Sequence, residues 1–206
     1  MFRSAKTVVA GGLAVALGLT LAVSGPVSSL ERFEDVVGDA VGESPEIIAV
    51  IIDDPENMPV LAITVEFASE PPLGTDEETW TDAVLVGLLV DPEVDSEGRP
   101  VNLVARDDFD ADYVIGSHGV TLSETLDEGA HLVAPDGDLY WFVVDLAVDG
   151  PVVTWRVDRK LIGDPEAVAI QVLAGVERAD ATEEEYDIFP AEGEPHAMYV
   201  LSETDR

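Results

Sequence analysis

Apolar and polar residues alternate along much of this chain with the two-residue period of a β-strand, and Asp, Gly and Pro interrupt the alternation at intervals. Leu61, Ile63, Val65 and Phe67 fall on one face while Ala62, Thr64 and Glu66 fall on the other, which predicts a half-buried strand. Upstream, Glu46 to Ile52 is apolar and β-branched, and Asp53 to Pro59 carries the Asp, Pro and Asn of a turn. The two runs predict a hairpin or meander. Ala83 to Val90 is a nearly continuous apolar run between Asp82 and Asp91, the pattern of a central strand covered on both faces. Its valines and Gly87 count against a helix.

The second half continues this punctuation. His131 to Val133 and Leu139 to Leu146 flank the turn Pro135-Asp136-Gly137-Asp138, and Asp149-Gly150-Pro151 leads into Val152 to Val157. Two consecutive hairpins follow from that spacing. Arg159 to Ile162 reads as one helical turn before Gly163, Ala167 to Val176 as a long apolar strand, Thr182 to Asp187 as an acidic loop, and Met198 to Leu201 as a closing strand. The fold class predicted is all-β, an antiparallel β-sandwich of about nine or ten strands, with no amphipathic helix of three turns in the body of the chain. No internal repeat suggests a solenoid or propeller.

The amino terminus has a different pattern. Arg3 and Lys6 precede an uncharged, mostly apolar run from Thr7 to Val23, the arrangement of a secretory signal peptide. Ala22 and Ser24 suit cleavage before Gly25, and Val27 with Ser29 offers a second position before Leu30. An uncleaved anchor is the alternative, with the run just short of the ~18 to 20 residues that span a bilayer. Without a twin-arginine pair, export in the unfolded state is expected. The organisation read from sequence is therefore residues 1–24 signal peptide, 25–45 leader or edge element, and 46–206 β-sandwich domain.

Charge narrows the partners. Across 206 residues, 43 acidic side chains oppose 10 basic ones, a formal net charge of -33. Phosphate backbones need Lys and Arg to release counterions, so nucleic acid is excluded as a direct partner, and anionic membrane surfaces are disfavoured. No stable membrane insertion is expected after signal cleavage. Cleavage would remove Arg3 and Lys6 and no acid, making the mature chain more negative still. Such self-repulsion is screened at high ionic strength, and Lys6 and Lys160 are the only lysines. That composition fits a halophilic or salt-tolerant source, and equally an acidic extracellular protein from a GC-rich genome. Cysteine is absent, which removes disulfides, thiolate nucleophiles and Cys-based zinc sites.

Four short segments resemble a known group. Val86 to Ile115 runs from an apolar strand through the acidic loop Asp91 to Gly98 to Asp110-Ala111-Asp112-Tyr113-Val114-Ile115. Val157-Asp158-Arg159-Lys160-Leu161-Ile162-Gly163 is similar to a strand-ending V-P-R-x-L-L-G element, with Asp158 where proline is usual. Asp187-Ile188-Phe189-Pro190-Ala191-Glu192-Gly193 is similar to a late D-x-x-P-x-x-G turn, and Asp35-Val36-Val37-Gly38-Asp39-Ala40 to an opening D-x-x-G-D-A. In this order they resemble secreted bacterial sandwich domains of the DOMON-like group, related to family 9 carbohydrate-binding modules. The resemblance implies a ligand-binding or accessory module associated with the cell envelope or with carbohydrate-active enzymes.

Candidate chemistry lies in two places. Asp91, Glu93, Asp95 and Glu97 alternate through one loop, where hard carboxylate oxygens either converge on calcium or form a solvated acidic turn. The spacing departs from an EF-hand, with Gly98 at the eighth position and Asn102 at the twelfth. Asp107, Asp108, Asp110 and Asp112 form a second such cluster. Trp80, Trp141 and Trp155 are candidate ligand-binding rings that either stack on a glycan or belong to the core. His118, His131 and His196 lack metal-ligand spacing. No G-x-S-x-G elbow, phosphate-cradling glycine loop or H-E-x-x-H occurs, so the chain reads as a non-enzyme. The functional expectation is a secreted binding module whose partner is an extracellular glycan or cell-envelope protein. The alternative is a structural or interaction protein of the cell exterior stabilised by calcium or high salt, with a hydrolase as a distant third.

Overall fold

The computed structural model describes residues 28–42, 44–55, 58–71, 84–90, 109, 111–122, 125–141, 143–176, 185–191 and 193–202. Twelve strands lie among them: β1 Ser28–Glu34, β2 Ile47–Pro55, β3 Val60–Phe67, β4 Val84–Val90, β5 Tyr113–Leu122, β6 Thr125–Val133, β7 Leu139–Trp141, β8 Val144–Asp149, β9 Val152–Asp158, β10 Ala167–Val176, β11 Glu185–Phe189 and β12 Ala197–Val200. One 3-10 turn, Arg159–Ile162, follows β9. The strands form two antiparallel sheets, one ordered β1-β2-β3-β9-β8 and the other β11-β10-β4-β5-β6-β7, with β12 also paired to β10.

The period of two in the sequence sets the packing. Leu61, Ile63 and Val65 are fully buried and Phe67 nearly so, whereas Ala62, Thr64 and Glu66 remain half-buried on the other face. These side chains share one core with Trp155 and Val157 of β9 and with Val84, Val86, Leu88, Ile115, Ile170 and Val172 of the second sheet. Each fully buried aliphatic chain contributes about 1.5–3 kcal/mol relative to exposure. A one-residue slip of β3 would turn all four outward, so the register is strongly specified. Strand β4 is covered on both faces as its unbroken apolar run requires. Its Leu85 and Leu89 pack against a second cluster of Phe109, Ala111, Val114 and Ala169 on the outer face of the seven-stranded sheet.

Local turn chemistry matches the sequence in several places. Gly163 adopts φ 84° and its N–H returns to the Arg159 and Lys160 carbonyls, while Asp158 caps the other end of the 3-10 turn by accepting from the Lys160 N–H at 3.0 Å. Gly137, at φ 86°, closes the β6–β7 turn through its N–H to the Ala134 carbonyl at 2.8 Å. The β2–β3 and β8–β9 hairpins also form as the punctuation predicts.

Three expectations are corrected by tertiary pairing. Leu139 to Leu146 is not one strand: β7 pairs with β6 in the seven-stranded sheet and β8 pairs with β9 in the other, so the chain changes sheets between them. The acidic stretch ending at Asp187 is not wholly a loop, because Glu185–Phe189 pairs along β10 from Val172 to Val176. The strand count is twelve among the described residues against the nine or ten expected, and within residues 25–45, read as a leader or edge element, β1 is an edge partner of β2 from Ser28↔Pro55 to Glu34↔Ala49. For β1 and β11, ladder hydrogen bonds from an existing neighbour outweigh weak intrinsic β-propensity.

A buried ion pair fastens the carboxyl-terminal end. Arg159 Nη1 lies 3.3 Å from Asp54 Oδ1, with side chains 4% and 0% exposed, and also donates to the Ser202 carbonyl at 2.8 Å. Asp54 Oδ2 accepts from the Ser202 N–H at 2.5 Å and its hydroxyl at 2.8 Å. Arg159 Nη2 reaches the Pro165 carbonyl at 3.2 Å and Asp164 at 3.1 Å. The 3-10 turn, β2 and the segment after β12 are thereby joined by charge-assisted hydrogen bonds.

Candidate metal centre

The chain leaves β1 at Glu34 and enters a loop that crosses to the other sheet. The Asp35 N–H still pairs with the Ile48 carbonyl at 2.8 Å, and the Val41 N–H reaches the Tyr186 carbonyl of β11 at 3.0 Å. Gly38, at φ 97°, permits the bend between them, and its N–H donates to Glu46 Oε1. Beneath this loop Phe33 of β1 packs on Phe189 of β11, ring centroids 6.2 Å apart. Asp187, 2% exposed, accepts from the Ile47 N–H at 2.5 Å and so ties β11 to the start of β2.

These elements bring Asp35, Asp39 and Asp187 together, with one carboxylate oxygen from each lying within 4.8 Å of the others. Two oxygens that each sit about 2.4 Å from a calcium ion are at most about 4.8 Å apart, so the spacing suits one shared ion. Three carboxylates offer up to six hard oxygen donors, the ligand chemistry calcium prefers.

The electrostatics are those of like charges held in partial burial. Both Asp35 oxygens are shut off from solvent, and no donor meets either with hydrogen-bond geometry. Burial is the main cause that pushes the Asp35 carboxyl up to about 7, with the charges of Asp187, Asp39 and Glu194 adding to it. The Val36 N–H only partly opposes that shift. Asp187 is pushed up to about 6, again chiefly by burial, with Asp39 and Glu46 adding and the Ile47 N–H opposing. A divalent cation at this point would offset the charge of the three carboxylates.

The residues singled out in the sequence fall elsewhere. Asp91, Glu93, Asp95, Glu97 and Trp80 lie outside the described residues. Trp141 ends β7, where it pairs with His131 of β6. Trp155 is corrected to a core residue: it is 0% exposed on the inward face of β9, so its ring offers no stacking surface to a ligand. Asp112 of the second acidic cluster accepts from the Val90 N–H at 2.9 Å, a backbone-capping role at the end of β4.

Reading the chain for dense acidic windows missed the triad, because Asp35 and Asp39 are separated from Asp187 by most of the chain. A signal was present in another form: the D-x-x-G-D-A and D-x-x-P-x-x-G segments supply all three aspartates, and the fold places the two segments side by side. No family model matches the chain, and no curated protein or solved structure matches it. Among the described residues, no helix is long and apolar enough to cross a membrane.

Proposed function

We propose that this chain is a non-catalytic β-sandwich module of the cell exterior, exported by its amino-terminal signal, in which calcium held by Asp35, Asp39 and Asp187 fastens the first strand to the second sheet. The observation that carries this reading is the Asp35 carboxylate, whose two oxygens lie out of solvent and make no well-formed hydrogen bond while the carboxylates of Asp39 and Asp187 lie close by. A cation there would join the loop after β1 to β11, reinforcing the contacts Val41–Tyr186 and Phe33–Phe189. The metal would stabilise the fold by binding the native state and not the unfolded one. Nothing in this role requires a reacting substrate, and its partners would be envelope proteins or glycans met by the rest of the surface.

The deciding experiment is a thermal melt of the signal-cleaved protein at matched ionic strength, with calcium, with magnesium, or with chelator. A calcium-specific rise of several degrees that disappears in Asp39→Asn supports the reading. Asp39 is exposed, so that variant keeps the core intact. Stabilisation by sodium chloride alone, equal in the variant, would reject the metal centre and leave acidity as a surface adaptation to salt.

A further inference from the structure

The loop that supplies two of the three aspartates also carries an apolar surface. Val36 is 50% exposed, Val37 71% and Val41 48%, and in the chain they bracket the exposed ligand Asp39. Single exposed valines are ordinary on any protein surface, but here three stand within one short bent loop. Gly38 and Gly42, at φ 97° and 70°, turn the backbone on either side of Asp39. The Val41 N–H, bonded to the Tyr186 carbonyl at 3.0 Å, fastens the loop to β11. Side chains left this far in water add little to the fold, so their apolar character is available to an outside surface.

Charge and composition select that surface. From Asp35 to Glu46 the chain holds four acids and no Lys or Arg, so an anionic partner has no cationic side chain to meet along this stretch. The same stretch has no aromatic ring, the flat face on which a sugar would stack. Aliphatic side chains beside a cation site match a phospholipid surface instead, with acyl chains to receive the valines and phosphate oxygens to meet the ion. Calcium takes about six to eight oxygens, so three carboxylates that give one oxygen each leave positions for others. Asp39 is the exposed member of the triad, and an outside oxygen would reach the ion on its side.

We infer that the loop from Asp35 to Gly42, with calcium held by the triad as read above, docks the protein on an anionic phospholipid surface. Lipid phosphate completes the coordination of the ion, and Val36, Val37 and Val41 enter the interface. Without the ion, the acids of the loop and a net charge of -33 repel the same surface, so calcium switches the docking on. The export proposed above delivers the chain to the outer leaflet of such a membrane.

The test spins the signal-cleaved protein with sucrose-loaded vesicles of equal parts phosphatidylglycerol and phosphatidylcholine, in calcium, magnesium or chelator at matched ionic strength. The melting temperature is read in the same buffers without vesicles. Calcium is expected to carry the protein down with the vesicles, and magnesium or chelator to leave it in solution. Val36→Ser combined with Val37→Ser should weaken vesicle binding at least about tenfold, the scale of one valine returned to water, and keep the calcium-dependent rise in melting temperature. A rise in melting temperature without vesicle binding would overturn the docking and leave the metal centre standing, whereas no rise would remove the metal centre itself. Vesicle binding that the valine variant retains in full, or equal binding to phosphatidylcholine alone, would also overturn the docking. Calcium-dependent self-association that the variant abolishes, without vesicle binding, would assign the valines to a second copy of the chain and reject the lipid.

Discussion

Asp35, just past the first strand, and Asp187, on β11 of the other sheet, hold carboxylate oxygens within 4.8 Å of each other. Two acids placed so closely raise the energy of one another's charged forms, and burial and neighbouring carboxylates are the main causes that raise both. Asp35→Asn removes one charge at almost constant shape. In chelator the variant should melt about 2–4 °C higher than the parent, the equivalent of roughly 1 kcal/mol for a chain of this size. With calcium the order should reverse, since the variant has lost a ligand. A variant less stable than the parent under both conditions would refute the like-charge account.

The same pair sets a pH dependence. Folded-state values of about 7 for Asp35 and about 6 for Asp187 lie above the usual carboxylate range, so the native state binds more protons than the unfolded chain between pH ~4 and ~7. Their contribution to stability is full below that window and is lost as pH rises through the folded values. In chelator, the urea midpoint should therefore be lower at pH 8 than at pH 5. Asp35→Asn should flatten the difference, separating it from general surface repulsion. Calcium should restore the midpoint at pH 8 more than at pH 5, because the ion binds the deprotonated acids.

Arg159 and Asp54 are the buried pair on which the carboxyl-terminal segment rests. Arg159→Met leaves the Asp54 carboxylate at 0% exposure with only the Ser202 N–H and hydroxyl, and should cost about 3–5 kcal/mol. Replacing both partners, with Asp54→Leu added, should recover much of the loss, because neither charge is then stranded. Urea unfolding of the two variants measures this. Equal loss in the single and double variants would mean that the side-chain contacts, and not the uncompensated charge, dominate.

Gly116 and His131 are cross-strand partners on β5 and β6, and the imidazole lies over the glycine. A Cβ at position 116 would overlap the ring. Gly116→Ala should destabilise by about 1–3 kcal/mol through overpacking, read as a fall in melting temperature, and adding His131→Ala should relieve part of it. A neutral Gly116→Ala would mean that the His131 ring turns aside freely.

The sequence by itself determined several of the strands and which of their faces are apolar. Leu61 to Phe67, Ala167 to Val176 and the Gly137 and Gly163 turns follow from the two-residue period and from φ > 0, properties of neighbouring residues along the chain. Tertiary structure alone decided what period and composition leave open. It split Leu139 to Leu146 between two sheets, drew acidic Glu185 to Asp187 into a ladder with β10, and took Trp155 into the core. It also gathered Asp35, Asp39 and Asp187 from the two ends of the chain into one cluster. A chain with so many acids has many dense acidic windows, so local density cannot select a site. Burial and convergence can, because they depend on which strand edges meet, and that is fixed by closing two sheets over one core.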